Sequence, residues 1–142
     1  MPNSKSGSTV EETIITNLKS FPNADLKNLF DNSTYVDYIF HYLPFSVSQN
    51  NKSSIVSNLK MISPDKPKQW NNTCKSIGRE FFHIGGDIVY EADVYFSEHC
   101  QGYIFMKNEK PIFASGMTEA GIAFYGNLLT HAAKIKNQVN EK

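Results

Sequence analysis

The stretch Arg79-Glu80-Phe81-Phe82-His83-Ile84-Gly85-Gly86-Asp87-Ile88-Val89-Tyr90-Glu91-Ala92-Asp93-Val94-Tyr95-Phe96 decides the fold. It holds two runs rich in aromatic and β-branched residues, which suit the pleated, half-buried surface of a sheet. Between them stands Gly85-Gly86, and glycine accepts the positive φ of the tight turns that join antiparallel strands. The spacing predicts a strand over Arg79 to Ile84, a two-residue turn, and a longer strand over Asp87 to Phe96.

Downstream the pattern repeats. Ser97-Glu98-His99-Cys100 reads as a turn, Gln101 to Lys107 as a third strand, Asn108-Glu109 as a turn, and Lys110 to Ser115 as a fourth strand. Sequential hairpins need no crossover, so the four strands form an antiparallel meander. Thr118 then caps a helix carrying Ile122, Tyr125, Leu129, Ala132 and Ile135. Gly121 and Gly126 weaken that helix by about 1 kcal/mol each relative to alanine, and leave room for close approach to the sheet.

Upstream the period is helical. Val10, Ile14, Leu18 and Phe21 recur at that spacing, with Ser8 or Thr9 as cap and Glu11 and Glu12 in the first turn, until Pro22-Asn23. Asp25 to Phe30 reads as a second short helix. Ser33 or Thr34 is placed to cap Tyr35 to Leu43, read here as a helix stopped by Pro44, although its aromatic and β-branched content also suits a strand. Ser53 to Ile62 reads as another helix, and Ser63 to Pro67 as a loop. Trp70, Cys74 and Ile77 return to helical spacing before Gly78 interrupts. The expected architecture is α+β: N-terminal helices, a four-stranded antiparallel β-meander, and a C-terminal helix packed on the sheet. Residues 1–8, polar and small, read as a flexible tail, and 9–142 as a single α+β domain.

Composition excludes several classes. The chain has 142 residues, 40% hydrophobic and 13% aromatic, enough for a core without metal or disulfide staples and too aromatic for a disordered chain. Its formal net charge is zero, which removes the electrostatic footprint of a general nucleic-acid binder. No apolar run approaches the ~20 residues of a membrane-spanning helix. Arg79 is the single arginine, so bidentate recognition of phosphate or carboxylate has one candidate position. The start of the chain shows no apolar leader segment. The compartment is left open between an exported or periplasmic protein whose leader has been removed and a cytoplasmic one. Cys74 and Cys100 fit either one disulfide or two buried thiols.

Register turns the hairpin into a surface. With the turn at Gly85-Gly86, Ile84 faces Asp87, and directly opposed residues share a face. One face then carries Phe81, Ile88, Tyr90, Ala92, Val94 and Phe96, joined by Tyr103, Phe105 and Ile112; this is the expected core face. The opposite face carries Phe82, Ile84, Val89, Tyr95, Ile104, Met106 and Phe113, interspersed with Asp87, Glu91 and Asp93. It is too apolar for a plain solvated surface. Either the N-terminal helices cover it, or it docks a partner. In the second case the candidate contact residues are Asp87, Glu91, Asp93, Tyr95 and Met106. Charge is uneven in the same region: six basic residues and one acid over 52–79, then five acids and no lysine or arginine over 80–98. Either the two segments neutralise one another or the acidic strand steers a basic partner.

Catalytic signatures are lacking. No sequence matches a P-loop, a Rossmann fingerprint, an EF-hand or a zinc-protease or hydrolase motif. His83 and His99 lie near opposite ends of the long strand, too far apart to share a metal. Glu91 and Asp93 sit on one face about 7 Å apart, but paired acids on a strand are common without chemistry. The expected function is non-catalytic protein binding, with no cofactor and no metal. Small neutral bacterial domains of this kind include inhibitors, immunity proteins that neutralise toxins, and secretion chaperones, an analogy of size and fold only. The alternative is a small-molecule binder or enzyme with its pocket between the curved sheet and the helices. A homodimer pairing the same face is a third possibility.

Overall fold

A computed structural model describes residues 12–43 and 46–140. The expected tail over 1–8, the caps at Ser8 or Thr9, Val10, Glu11 and the stop at Pro44 lie outside the described residues. Helices α1 (Glu12–Asn17) and α2 (Asn23–Asn32) lead into strands β1 (Tyr35–Phe40) and β2 (Val47–Gln49). Helix α3 (Lys52–Leu59) follows, then β3 (Ser76–Ile84), β4 (Asp87–Ser97), β5 (Cys100–Lys107), β6 (Lys110–Gly116) and α4 (Glu119–Asn140). The fold is α+β, with one antiparallel sheet of six strands in the order β2-β1-β3-β4-β5-β6.

The hairpins form where the turn chemistry put them. Gly85 takes φ +63°, and Ile84 pairs with Asp87. Asn108 and Glu109 both take positive φ, 52° and 62°, as a two-residue primed turn requires. Asn51 caps α3 by accepting from the Ser54 amide at 2.8 Å, and Thr118 caps α4 by accepting from the Gly121 amide at 3.3 Å.

Two expected helices are not formed. Residues 35–40 make strand β1, with Val36, Tyr38 and Phe40 buried and Ile39 exposed. That burial has a period of two, and β1 lies along the whole length of β3, from Tyr35 opposite His83 to Phe40 opposite Gly78. Sheet pairing outweighs the helical reading because the strand hides three large side chains at once. Around Trp70 to Cys74 the chain forms turns, with the Asn71 side chain accepting from the Thr73 amide at 2.8 Å. The strand then begins at Ser76, before Gly78. Gly78 itself is required by close approach: a Cβ there would stand 2.7 Å from the Ile39 carbonyl oxygen.

Three register slips interrupt the sheet, one leaving Ile77 over near the start of β3, and the other two change which side chains of the hairpins look inward. Between Phe82 and His83 the register slips, so that Phe82 faces Tyr90 while His83 faces Ile88, leaving Val89 without an opposite residue. A second slip pairs Phe105 with Phe113 and Met106 with Pro111, leaving Ile112 over. An extra residue reverses the alternation on one strand. Phe82 and Phe113 therefore join the main core beside Tyr90, Ala92, Val94, Tyr103 and Phe105, and Phe81 moves to the other face. The expected assignment of Phe81 and Ile88 inward and of Phe82, Ile84 and Phe113 outward is overturned.

Helices α2, α3 and α4 cover the inner face through Leu29, Ile55, Leu59 and Tyr125. The outer face has a smaller cluster in which Ile15, Trp70, Cys74 and Cys100 pack on Tyr95, Ile104 and Ala114. The chain passes from one face to the other beside β6. Lys19 bridges Phe113, and Phe21 then stacks on Phe105 with ring centroids 4.1 Å apart. No described helix is long and apolar enough to cross a membrane.

Candidate functional sites

The five expected contact residues separate in the structure. Asp93 is 1% exposed and accepts from the Arg79 Nε at 2.8 Å. Tyr95 is fully buried under Trp70, with ring centroids 4.7 Å apart. Neither can meet a partner at the surface. Met106 is half-buried against the outer cluster. Glu91 is partly exposed and stands 3.3 Å from the Arg79 guanidinium, while Asp87 is exposed at the start of β4.

Arg79 thus holds the centre of the outer face. It reaches Asp93, Glu91 and Glu109 together, the last at 3.3 Å. The hydrogen bond to Asp93 is the main reason its guanidinium is held protonated more firmly than usual. At this point one base of the 52–79 stretch, Arg79, is paired with two acids of the 80–98 stretch within the molecule. Cys74 and Cys100 are joined in a disulfide, with Cα atoms 5.8 Å apart, which anchors the Trp70–Cys74 segment to the start of β5. Such a bond persists in an oxidising compartment.

The inner face holds a polar cluster that sequence reasoning missed. Glu80, on β3, is fully buried, and no well-formed hydrogen bond reaches either of its carboxyl oxygens, Tyr38 and Asn58 being the polar groups beside it. Tyr38, Tyr103, Tyr125 and Asn58 are buried with it. Tyr125 donates to the Tyr38 hydroxyl at 2.8 Å, and the Asn58 amide donates to the same oxygen. Burial pushes the Glu80 carboxyl up to about 8, against the lowering effect of Tyr38 and Asn58, so it is mainly a neutral acid at pH 7. Burial likewise pushes the three tyrosine hydroxyls far above their ordinary range. A signal existed in the sequence: with Phe82 facing inward, period two puts Glu80 inward as well. Only the bulge, which no residue type announces, gives Phe82 that face.

At the other end of the sheet lies an open groove of about 630 Å³ between the start of α2 and the strand ends. Its floor is apolar, with Ile88 51% and Val89 39% exposed, beside Tyr90, Met106 and Ile112. Its rim carries Asp25, Glu91 and Lys107. Tyr90 donates to Asp25 at 2.6 Å and ties α2 to β4; burial, then this bond, push its hydroxyl up to about 12. A second depression, of about 270 Å³, lies at the start of α4 and mixes Lys66, Glu98, His99 and Glu119. Among the described residues no group of three or more His, Cys, Asp or Glu side chains is placed to hold a metal ion.

No family model, curated protein or solved structure matches this chain.

Proposed function

We infer that the protein is a non-catalytic protein-binding domain that takes its partner at the groove beside β4. The observation that carries this reading is the pair Ile88 and Val89. They are large aliphatic side chains left exposed side by side on a strand, in the apolar floor of a groove whose rim is charged. Apolar patches with a polar rim are the usual form of a protein contact. Two of the residues expected from the sequence, Glu91 and Met106, line this groove, and Asp87 opens the strand beside it. Occlusion of a partner, as by an inhibitor or an immunity protein, is the form of action we propose.

The test uses paired surface variants. Ile88→Lys with Val89→Lys should abolish capture of the partner from extract of the source cells while leaving the thermal midpoint unchanged. Ile39→Lys, at the equally exposed Ile39 on β1, should leave capture intact. A partner retained by the groove variant would overturn the proposal.

The buried Glu80 cluster favours a second reading, a small-molecule site between the curved sheet and the helices. Its support is the set of unpartnered atoms on Glu80, Asn58 and Tyr103 facing the interior. Because these side chains are enclosed, a ligand would have to displace a helix to reach them. Hydrogen exchange at Tyr38 and Tyr125 as slow as global unfolding would refute such opening.

A further inference from the structure

The geometry points to a specific mode for this contact, resting on the groove reading above: the partner adds one extended strand to β4, and that strand alternates apolar with lysine or arginine side chains. The ladder between β4 and β5 ends at Glu91 opposite Met106, although β4 itself begins at Asp87. The turn at Asn108-Glu109 carries β5 back into β6 before it can reach the rest of β4. Residues 87–89 therefore stand past the end of their neighbour on one side. On the other side Asp87, Ile88 and Tyr90 remain paired with β3, which keeps the segment extended. Alternate residues of a strand direct their backbone amide and carbonyl away from a given neighbour. The groove is the lane that β5 leaves at Lys107, and an unpaired strand edge is a template for another strand.

Charge selects the occupant. An added strand alternates its side chains between Tyr90 and Asp25 on the helix side and Ile88 and Glu91 on the other; Glu91 is shared with Arg79, so Asp25 is the carboxylate that offers a basic side chain a partner next to an apolar contact. Lys107 is the one base lining the groove. A second copy of this chain fits poorly. The free edge of β4 is short, since Glu91 is already paired with Met106, and too short for two copies to hold one another through β4 alone. Asp25 in the groove and the exposed Asp87 at its edge leave it open to a basic strand.

The probe is a short synthetic peptide alternating lysine with valine, titrated into the full chain and followed by amide NMR. Two companions complete the set: the same peptide N-methylated along its pairing edge, and one with glutamate in place of lysine. The lysine peptide should shift the amides of Ile88, Val89 and Tyr90 and slow their solvent exchange. Loss of about two backbone hydrogen bonds should weaken the methylated peptide roughly tenfold or more, and the glutamate peptide should also fall by roughly tenfold or more. Equal binding of the methylated peptide overturns strand addition and leaves the groove reading standing. Equal binding of the glutamate peptide overturns the charge selection. If no lysine peptide shifts any groove amide, both strand addition and the groove reading fail.

Discussion

Replacing Glu80 with glutamine should make this protein more stable at mildly alkaline pH and remove most of its pH dependence above about pH 5. The carboxyl is fully buried with no well-formed hydrogen bond on either oxygen, and burial moves its ionisation from 4.5 to about 8 against the smaller lowering effect of Tyr38 and Asn58. In that window the native state holds a proton that the unfolded chain has released. Unfolding therefore releases a proton, and stability falls as pH rises. The contribution of the neutral acid is full below about pH 4.5 and is lost progressively up to about pH 8. At roughly 1.4 kcal/mol per pH unit the total approaches 5 kcal/mol, an upper figure because denatured chains and local water entry both reduce it. Glutamine has the same shape and no charge, so Glu80→Gln should be close to wild type near pH 5 and more stable by several kcal/mol near pH 8. The assay is urea unfolding across pH, followed by the fluorescence of the buried Trp70 with the disulfide intact. A variant that loses stability between pH 5 and pH 8 as steeply as wild type would refute the assignment of the buried proton to Glu80.

Three further outcomes follow from other parts of the molecule. Arg79→Met leaves Asp93 buried beside no cation and should lower stability by about 3–5 kcal/mol, with Arg79→Lys recovering part of it; urea midpoints near wild type for the methionine variant would contradict the ion-pair reading. Removing the disulfide with Cys74→Ala and Cys100→Ala opens a loop of 26 residues and should destabilise by about 3.5 kcal/mol, while thiol titration of the unfolded, unreduced wild type should find no free thiol. Gly126→Ala has its nearest neighbour at 3.9 Å and should stabilise α4 by up to about 1 kcal/mol. Gly121→Ala would press on the Met61 backbone oxygen at 3.1 Å and on Met117, and should lower the thermal midpoint instead.

The chain itself determined the elements whose signals are local. Gly85-Gly86 and Asn108-Glu109 fixed two turns because tight hairpins demand positive φ, taken here by Gly85, Asn108 and Glu109, and the strands on either side were legible in their aromatic and β-branched runs. The caps at Asn51 and Thr118 act within one turn of their own helices; the sequence pointed to Thr118 but not to Asn51. Tertiary structure decided what depends on neighbours far along the chain. Tyr35 to Phe40 is a strand because β3 offers it an edge, and the three residues of β2 carry no periodic pattern from which they could be read. The bulges at Val89 and Ile112 decided which faces look inward, and with them the burial of Glu80. The same packing hid Asp93 and Tyr95 while leaving Ile88 and Val89 in the open. A strand pattern specifies alternation, but the face it turns to the core is set by its partners and their register, which the sum of packing over the whole sheet determines.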